Sequence, residues 1–238
     1  MKILALDSSG LVASVALMSE EQLIGAYTIN YKKTHSQTLL PMLDVMFQQL
    51  DMEVSEIDAI AISGGPGSFT GLRIGAATAK GLGLALNKPL IHIPTVDGMA
   101  YQMYGVEGLI CPIMDARRSQ VYTGLYTFGK SRDFQVVKEQ MAISIDELIQ
   151  QLNDMGQPVT FLGDGVPVHQ AKLEEALQVP IYFAPNHCNR QSGAALGALA
   201  VEYYKAGKIE TAQEHKPDYL RVSQAERERA EREAKDAV

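Results

Sequence analysis

The chain has 238 residues, of which 46% are hydrophobic and 21% charged, a composition typical of a globular protein with one large domain or two small ones. Its formal net charge of −7 argues against a protein that binds nucleic acid on its own, since such a protein needs a basic surface. Two cysteines are too few for a disulfide framework, no apolar run is long enough to span a membrane, and no signal peptide is evident. We therefore expect a cytoplasmic protein without membrane association.

The first part of the chain, residues 1–104, predicts a mixed α/β lobe. Apolar and β-branched runs predict five strands, at 3–7, 12–17, 23–29, 59–62 and 90–93. Turn-length segments separate the first three strands, which favours an antiparallel meander. Helical periodicity and capping residues predict helices at 36–50, 72–86 and 95–104.

The stretch 58–86, DAIAISGGPGSFTGLRIGAATAKGLGLAL, joins a strand, a glycine-rich turn and a helix of small residues. Gly71, Gly75, Ala79 and Gly83 recur every four residues, so one face of the helix has almost no side chains. The turn could offer N–H groups to a phosphate, and the small face could dock another helix. Both features could also serve only to pack this helix on its own strand. The spacing of a P-loop is absent.

The second part of the chain, residues 105–222, repeats the order of elements seen in the first. Strands are predicted at 109–115, 120–128, 136–142, 159–162 and 181–183, and helices at 144–155, 168–177 and 191–206. Asp7 and Asp115 end the first strand of their respective halves. This duplication predicts two α/β lobes with a cleft between them, and it leaves open which lobe carries the last helix. The charged tail at 223–238 has no apolar stripe and predicts a solvated, fraying helix.

Several segments of the chain resemble, in this order, the TsaB family, also called YeaZ. They are ILALDSS, HSQTLLP, DAIAISGGPGSFTGLRIG, AKGLGLAL, PTVDGMA, DARRSQVY and GDG. The resemblance implies the duplicated two-lobe fold of the actin, sugar-kinase and Hsp70 superfamily (ASKHA, ribonuclease H-like). It also implies a non-catalytic scaffold subunit of the complex that installs N6-threonylcarbamoyladenosine at position 37 of tRNAs that read codons beginning with adenine.

The resemblance implies a set of partners as well. TsaD, the related subunit that transfers the threonylcarbamoyl group, would form a heterodimer with this chain; TsaE, an ATPase, would join them, and TsaC would supply threonylcarbamoyl-AMP. A self-dimer is expected where TsaD is absent. Binding of tRNA is expected only through the complex. The resemblance implies that this chain contacts TsaD, or a second copy of itself, through helices 36–50 and 72–86. Leu43 and Phe47 are assigned to the core of the lobe. The residues expected to face the partner are His35, Leu39, Met42, Met46, Arg73, Ala76, Ala77 and Lys80.

The sequence offers little for catalysis or for a metal site. TsaD-type subunits hold a metal with an HxxxH pair, whereas here His35 is followed four residues later by Leu39. His187 and Cys188 are adjacent in the chain, and such neighbours rarely converge on one metal. Neither HExxH nor GxSxG occurs, so a peptidase gains no support. We expect no catalytic residues, no metal and no tightly bound cofactor.

An independent ATP-dependent phosphotransferase of the same fold is the alternative hypothesis. In the kinase-like fold, Asp7 and Asp115 stand where aspartates approach Mg²⁺ and phosphates. Arg117 and Arg118 could bind phosphate or neutralise a carboxylate. Binding of ATP or ADP at the interface of the complex is left open as well. The residues assigned to a vestigial phosphate site are Asp7, Ser8, Ser9, Gly65, Gly67 and Asp115.

Overall fold

The computed structural model describes residues 1–31 and 34–221. Within those two ranges the chain forms ten β-strands and six α-helices around two five-stranded sheets. The tail at 223–238, for which a solvated helix is predicted, lies outside the described residues. Among the helices of the described ranges, none is both long and apolar enough to cross a lipid bilayer.

The first sheet is built from the amino-terminal half of the chain. The elements of this half are β1 (Lys2–Asp7), β2 (Ala13–Ser19), β3 (Leu23–Ile29), α1 (His35–Leu50), β4 (Ala59–Gly65), α2 (Phe69–Leu86), β5 (Leu90–Pro94) and α3 (Thr95–Tyr101). The strand order is β3-β2-β1-β4-β5. Strands β1, β2 and β3 pair antiparallel, which confirms the predicted meander, and β4 and β5 run parallel to β1.

The second half of the chain repeats this arrangement. Its elements are β6 (Leu109–Asp115), β7 (Gln120–Phe128), β8 (Phe134–Ser144), α4 (Ile145–Met155), β9 (Val159–Leu162), α5 (Val166–Ala176), β10 (Ile181–Phe183) and α6 (Gly193–Lys205). The strand order is β10-β9-β6-β7-β8, so the first strand of the half again lies in the centre, between an antiparallel and a parallel neighbour. The duplicated two-lobe α/β fold is thereby confirmed.

The bounds of several predicted elements differ from the structure by one to three residues, and for two elements the contacts show why. Helix α2 begins at Phe69, three residues before the predicted start, because the Oγ of Ser68 accepts a hydrogen bond of 3.3 Å from the N–H of Gly71 and caps the helix there. Strand β8 is longer than predicted at both ends, because it pairs with β7 from Phe128↔Phe134 to Gln120↔Ser144.

Helices cover the first sheet on both faces. On one face α1 and α2 pack over β1, β2 and β4 in an apolar cluster that includes Leu6 and Phe47. On the other face α6 packs on the same sheet, where Leu196 and Leu199 belong to one cluster with Ile3. Helix α6, whose lobe the sequence leaves open, therefore lies on the first lobe although it follows the second lobe in the chain.

After α6 the chain continues as residues 207–221, here named the return segment. Glu210 pairs with Leu90 in an isolated antiparallel bridge, with both backbone hydrogen bonds at 2.9 Å. Farther along, the N–H of Asp218 donates to the carbonyl of Gly64 at 2.7 Å. The return segment thus follows β5 and then reaches the carboxyl end of β4, beside the second lobe.

Candidate functional site

A cleft with a volume of about 540 Å³ lies between the two lobes, within the size range of small-molecule sites. It opens at the carboxyl ends of the central strands β1 and β6, where loops from both lobes converge. The return segment closes one side of it. The polar and glycine residues around the cleft include Ser9, Gly10, His35, Gly67 and Ser68 from the first lobe, Asp115, Arg117 and Asp164 from the second, and Asp218, Tyr219 and Arg221 from the return segment.

Asp7, the predicted phosphate-site aspartate of the first lobe, does not line the cleft. Its side chain is buried, and its Oδ1 accepts hydrogen bonds from the N–H of Ser9 at 2.9 Å and from the Oγ of Ser9 at 2.6 Å. Burial raises the pKa of Asp7 above its usual value, although the hydrogen bonds from Ser9 act in the opposite direction. The carboxyl group of Asp7 therefore stabilises its own turn and is not offered to a ligand.

Ser8 and Gly65 also lie outside the cleft lining, because each is engaged elsewhere. The Oγ of Ser8 donates to the carbonyl of Gly71 at 2.9 Å, and Gly65 lies directly against the backbone of Asp218. Of the six residues predicted for a vestigial phosphate site, Ser9, Gly67 and Asp115 reach the cleft. Asp7, Ser8 and Gly65 do not line the cleft.

The small face of α2 packs against the chain's own first lobe. A Cβ atom on Gly71 would lie 2.1 Å from the carbonyl oxygen of Ser8, and one on Gly75 would lie 2.4 Å from the Ser8 Oγ. Both distances are far below van der Waals contact, so only glycine permits this approach. Of the three interpretations left open for the segment, packing of the helix on its own lobe accounts for the small face.

On the second lobe, the cleft is bordered by two carboxylates and one guanidinium. Asp115 accepts from the backbone N–H of Arg117 at 2.8 Å, and its other oxygen lies 3.1 Å from the Arg117 guanidinium. The Asp164 carboxylate lies 3.4 Å from the backbone N–H of Asp115, and burial raises the pKa of Asp164. Arg117 thus neutralises Asp115, while Arg118 is exposed outside the lining.

The return segment connects both lobes at the cleft. The ring of Tyr219 packs on Phe69 at the start of α2, with the ring centroids 4.6 Å apart. The guanidinium of Arg221 donates to the carbonyl of Ala116 on the second lobe. The Asp218 carboxylate accepts from Gln140 of β8 at 3.0 Å. Sequence reasoning missed this role, because the segment carries no motif and its partners are distant in the chain.

The residues predicted to face a partner fall into two groups. The side chains of Leu39, Met42, Met46 and Ala76 are buried, with Leu39 only 1% exposed, and the three from α1 belong to the core cluster beneath α1 and α2. The prediction that these four contact a partner is therefore corrected. The apolar stripe of α1 packs on the lobe's own sheet as a whole, together with Phe47.

The remaining predicted contact residues are half-buried or exposed. Arg73 and Ala77 are exposed on α2. Lys80 is half-buried, and its ammonium donates to the carbonyls of Gln213 at 3.2 Å and His215 at 3.0 Å within the same chain. His35 is half-buried as well, and its Nε2 donates to a backbone carbonyl at the edge of the cleft at 2.7 Å.

Apolar side chains that the sequence analysis did not select are exposed on the same two helices. Leu40 is 55% exposed and Val45 43% exposed on α1, and Leu84 is 54% exposed on α2. Together with Arg73 and Ala77 they form what is here named the contact face. Apolar residues outside the buried stripe were the signal in the sequence that could have found them.

Comparison with known proteins relates the chain to one group of relatives. A family model described as TsaD, tRNA N6-adenosine threonylcarbamoyltransferase, matches residues 22–229. The tRNA threonylcarbamoyladenosine biosynthesis protein TsaB of Bacillus subtilis is 35% identical over 230 residues, which cover 95% of this chain and 96% of the relative. The protein of the same name from Haemophilus influenzae is 32% identical, with 92% and 93% covered. The solved structure of YeaZ from Pseudomonas aeruginosa matches with a TM-score of 0.76 and 26% identity, over 92% of this chain and 99% of that one.

Proposed function

The chain belongs to the TsaB (YeaZ) family, and from this premise we propose that it is a non-catalytic scaffold subunit of the complex that installs N6-threonylcarbamoyladenosine at position 37 of tRNAs. These are the tRNAs that read codons beginning with adenine. The observation that carries the proposal is the similarity to TsaB over nearly the whole chain, which includes both lobes and the return segment.

Two features of the first lobe support a role without chemistry of its own. Leu39 stands four residues after His35, in the place of the second histidine of an HxxxH pair, and it is buried in the core. A second metal ligand cannot be presented from that position. The carboxylate of Asp7 is held by Ser9 and is not available to Mg²⁺ or phosphate.

The contact face is the surface on which TsaD binds in this proposal. It presents three exposed apolar side chains, Leu40, Val45 and Leu84, on two helices that lie side by side. Exposed apolar side chains of this kind are what a protein partner would cover in the proposed complex. The same face joins two copies of this chain when TsaD is absent, since both partners would cover the same apolar area.

The other components act through this heterodimer. TsaE engages the pair formed with TsaD, TsaC supplies threonylcarbamoyl-AMP, and tRNA is bound by the complex and not by this chain alone. The net charge of −7 supports the last point, because an acidic chain repels the phosphate backbone. ATP or ADP, if it takes part, is bound where the subunits meet.

The cleft supports the alternative, an independent phosphotransferase. Its volume suits a nucleotide, and Asp115, Asp164 and Arg117 border it. The first-lobe aspartate that such an enzyme would use is turned away, since Asp7 accepts hydrogen bonds from Ser9. We therefore place the scaffold function first.

Co-purification with TsaD tests the proposed function. The variant Val45→Arg places a charge in the contact face, and we expect it to lose co-elution with TsaD and to reduce threonylcarbamoyladenosine formation in the reconstituted system. Val168→Arg is the matched control, because Val168 is also an exposed valine on a helix, α5, but lies on the other lobe.

The two variants also separate loss of binding from loss of folding. Both valines are exposed, so each substitution should leave the thermal unfolding temperature near that of the wild type. If Val45→Arg still co-elutes with TsaD, the contact face is wrongly assigned. If the chain is dispensable for threonylcarbamoyladenosine formation, the proposed function itself fails.

A further inference from the structure

The return segment consists of an anchored part and a part without buried side chains. In the anchored part, Ala212 and His215 are buried. The ammonium of Lys80 holds the same part from α2, since it donates to the carbonyls of Gln213 at 3.2 Å and His215 at 3.0 Å. In the last stretch, 216–221, every side chain is exposed or half-buried. This stretch is here named the strap.

The strap lies between the two lobes at the cleft. Residues 218–221 line the cleft. The ring of Tyr219 packs on Phe69 of the first lobe, and the guanidinium of Arg221 donates to the carbonyl of Ala116 on the second. Segments with few buried apolar contacts are those that open most easily while the rest of a protein stays folded. The strap has this property, whereas the anchored part before it does not.

Asp218 connects the middle of the strap to both lobes. Its Oδ2 accepts hydrogen bonds of 3.0 Å from the Nε2 of His92 on β5 and from the side-chain amide of Gln140 on β8. Its backbone N–H donates to the carbonyl of Gly64 at 2.7 Å. Of the two side chains that donate to this carboxylate, His92 is the one that can carry a charge, and hydrogen bonds between charged groups are the stronger kind.

The charges around His92 favour its protonated form. The carboxylates that act on its ring are those of Asp218, Glu210 and Asp97. From β4, the uncharged Gly64 lies directly against the ring. The ring centroid of His215 is 5.5 Å away, and burial lowers the pKa of His215, which keeps this second imidazole neutral near pH 6.5. Lys80 is the remaining cation nearby, and it is directed to the backbone of His215.

We propose that the strap opens and closes reversibly at the cleft, turning after the anchored His215, and that the ion pair between His92 and Asp218 holds it closed. When this pair separates, one side of the cleft opens. The strap also leaves Gln140 and Ala116, its contacts on the second lobe. The protonation state of one histidine on β5 thus controls access to the cleft.

The proton on His92 sets the strength of the ion pair. Burial by itself would lower the pKa of His92, but the hydrogen bond and the charge of Asp218 outweigh it and raise the pKa above 6.5. This gain is lost when the strap opens, so the closed state binds the proton more tightly. Closure is therefore fully favoured below pH 6.5 and weakens as the pH rises through the pKa of His92 in the closed state.

Asp218 sets the acid limit of the same device. The hydrogen bond from His92 lowers the pKa of Asp218 below 3.8, although burial acts in the opposite direction. The contribution of Asp218 to closure is present above pH 3.8 and is lost as the pH falls through its pKa in the closed state. The strap should therefore be most firmly closed between about pH 4 and about pH 6.5.

Hydrogen exchange of the full chain tests the proposal. The backbone amide of Asp218 is the probe, because its N–H is bonded to the carbonyl of Gly64 in the closed strap. Its protection factor is corrected for the pH dependence of intrinsic exchange. Between about pH 5.5 and about pH 8.5 this factor should fall by about 10-fold for each pKa unit that the pair adds to His92.

Two variants and a matched control identify the group responsible. His92→Gln keeps a side-chain donor but cannot be charged, so its protection factor at Asp218 should be low and independent of pH. Asp218→Asn should give the same flat profile, and it serves if His92→Gln fails to fold, because Asp218 is 43% exposed. His187→Gln is the control, since His187 is an exposed histidine in the loop after β10, and it should keep the response of the wild type.

A second amide confines the opening to the strap. The N–H of Glu210 donates to the carbonyl of Leu90 at 2.9 Å in the anchored part, and its protection should stay constant over the same pH range. A wild-type protection factor at Asp218 that does not change with pH would overturn the proposal, as would a pH response that persists in His92→Gln. Loss of protection at Glu210 as large as that at Asp218 would show that the whole return segment detaches and that no separate strap exists.

Discussion

The hydroxyl of Tyr126 on β7 donates a hydrogen bond of 2.7 Å to the carboxylate of Asp97 on α3. This bond joins the second sheet to a helix that follows the last strand of the first sheet. The other carboxylate oxygen of Asp97 accepts from Tyr203 of α6 at 3.3 Å. One buried carboxyl group therefore holds elements of both lobes.

The first prediction concerns the pH dependence of this contact. Burial raises the pKa of Asp97 above its ordinary value of 3.8, in spite of the two hydrogen bonds from tyrosines. The folded chain thus retains the proton to higher pH than the unfolded chain does. The unfolding free energy contributed by Asp97 is therefore fully present below pH 3.8 and is lost as the pH rises through the folded-state pKa.

Asp97→Asn removes this titration and keeps the size of the side chain. We expect the unfolding free energy of the wild type, relative to Asp97→Asn, to fall as the pH rises from about 4 to about 7. Urea unfolding of both proteins across this range measures the difference. A difference that grows with pH would show instead that the ionised carboxylate is the stabilised form.

The second prediction separates the core and the surface of α1. Leu39→Ala should lower the unfolding free energy by about 2–5 kcal/mol, because Leu39 is fully buried in the cluster beneath α1 and α2. Leu40→Ala should change it by less than about 0.5 kcal/mol, because the adjacent Leu40 is exposed. Urea denaturation of the pair, read by circular dichroism, checks this, and equal losses would contradict the assignment.

The third prediction concerns the glycines of α2. Gly71→Ala places a methyl group against the Ser8 backbone, which cannot move without disturbing β1, so a loss of about 1–3 kcal/mol or more is expected. Gly81→Ala meets nothing within 4 Å, and it should stabilise the helix by up to about 1 kcal/mol. The thermal unfolding temperatures of the two variants should therefore shift in opposite directions. A stabilised Gly71→Ala chain would show that α2 is not held closely against the turn after β1.

The fourth prediction concerns nucleotide. Because Asp7 is engaged by Ser9, calorimetry of the isolated chain with ATP and Mg²⁺ should give no binding heat at micromolar concentrations. Micromolar binding that is lost in Asp115→Asn would instead favour the phosphotransferase alternative. Asp7→Ala is not an informative variant for that question, since it would disturb the turn that Asp7 and Ser9 form.

The local signals in the sequence predicted most of the strands and helices, because apolar periodicity and caps act over short distances. Those signals did not show which side chains of a helix pack on its own lobe and which are exposed to a partner. The apolar stripe from Leu39 to Phe47 packs on the first sheet along its whole length. The methionines within this stripe were therefore wrongly assigned to a partner interface. Leu40 and Val45, apolar but out of phase with the stripe, were the better indicators of an exposed surface.

The cleft and the group formed by His92, Glu210 and His215 were harder to predict, because residues distant in the chain create them. His92 is a single imidazole in an apolar strand, and nothing near it in the chain signals its partners. Glu210 and His215 reach it only because α6 returns to the first lobe. The engagement of Asp7 by Ser9 was equally invisible, since the same DSSG segment could have turned toward a phosphate.

The packing of α6 on the first sheet also affects how the chain folds during synthesis and which fragments of it can be soluble. During translation, the first sheet emerges long before the helix that covers Ile3 and Ile91, so one of its apolar faces stays bare until residue 205 has left the ribosome. A fragment cut at residue 104 would keep that bare face permanently and should aggregate. The first lobe is thus a discontinuous folding unit, and a soluble half requires that residues 193–221 be supplied with it.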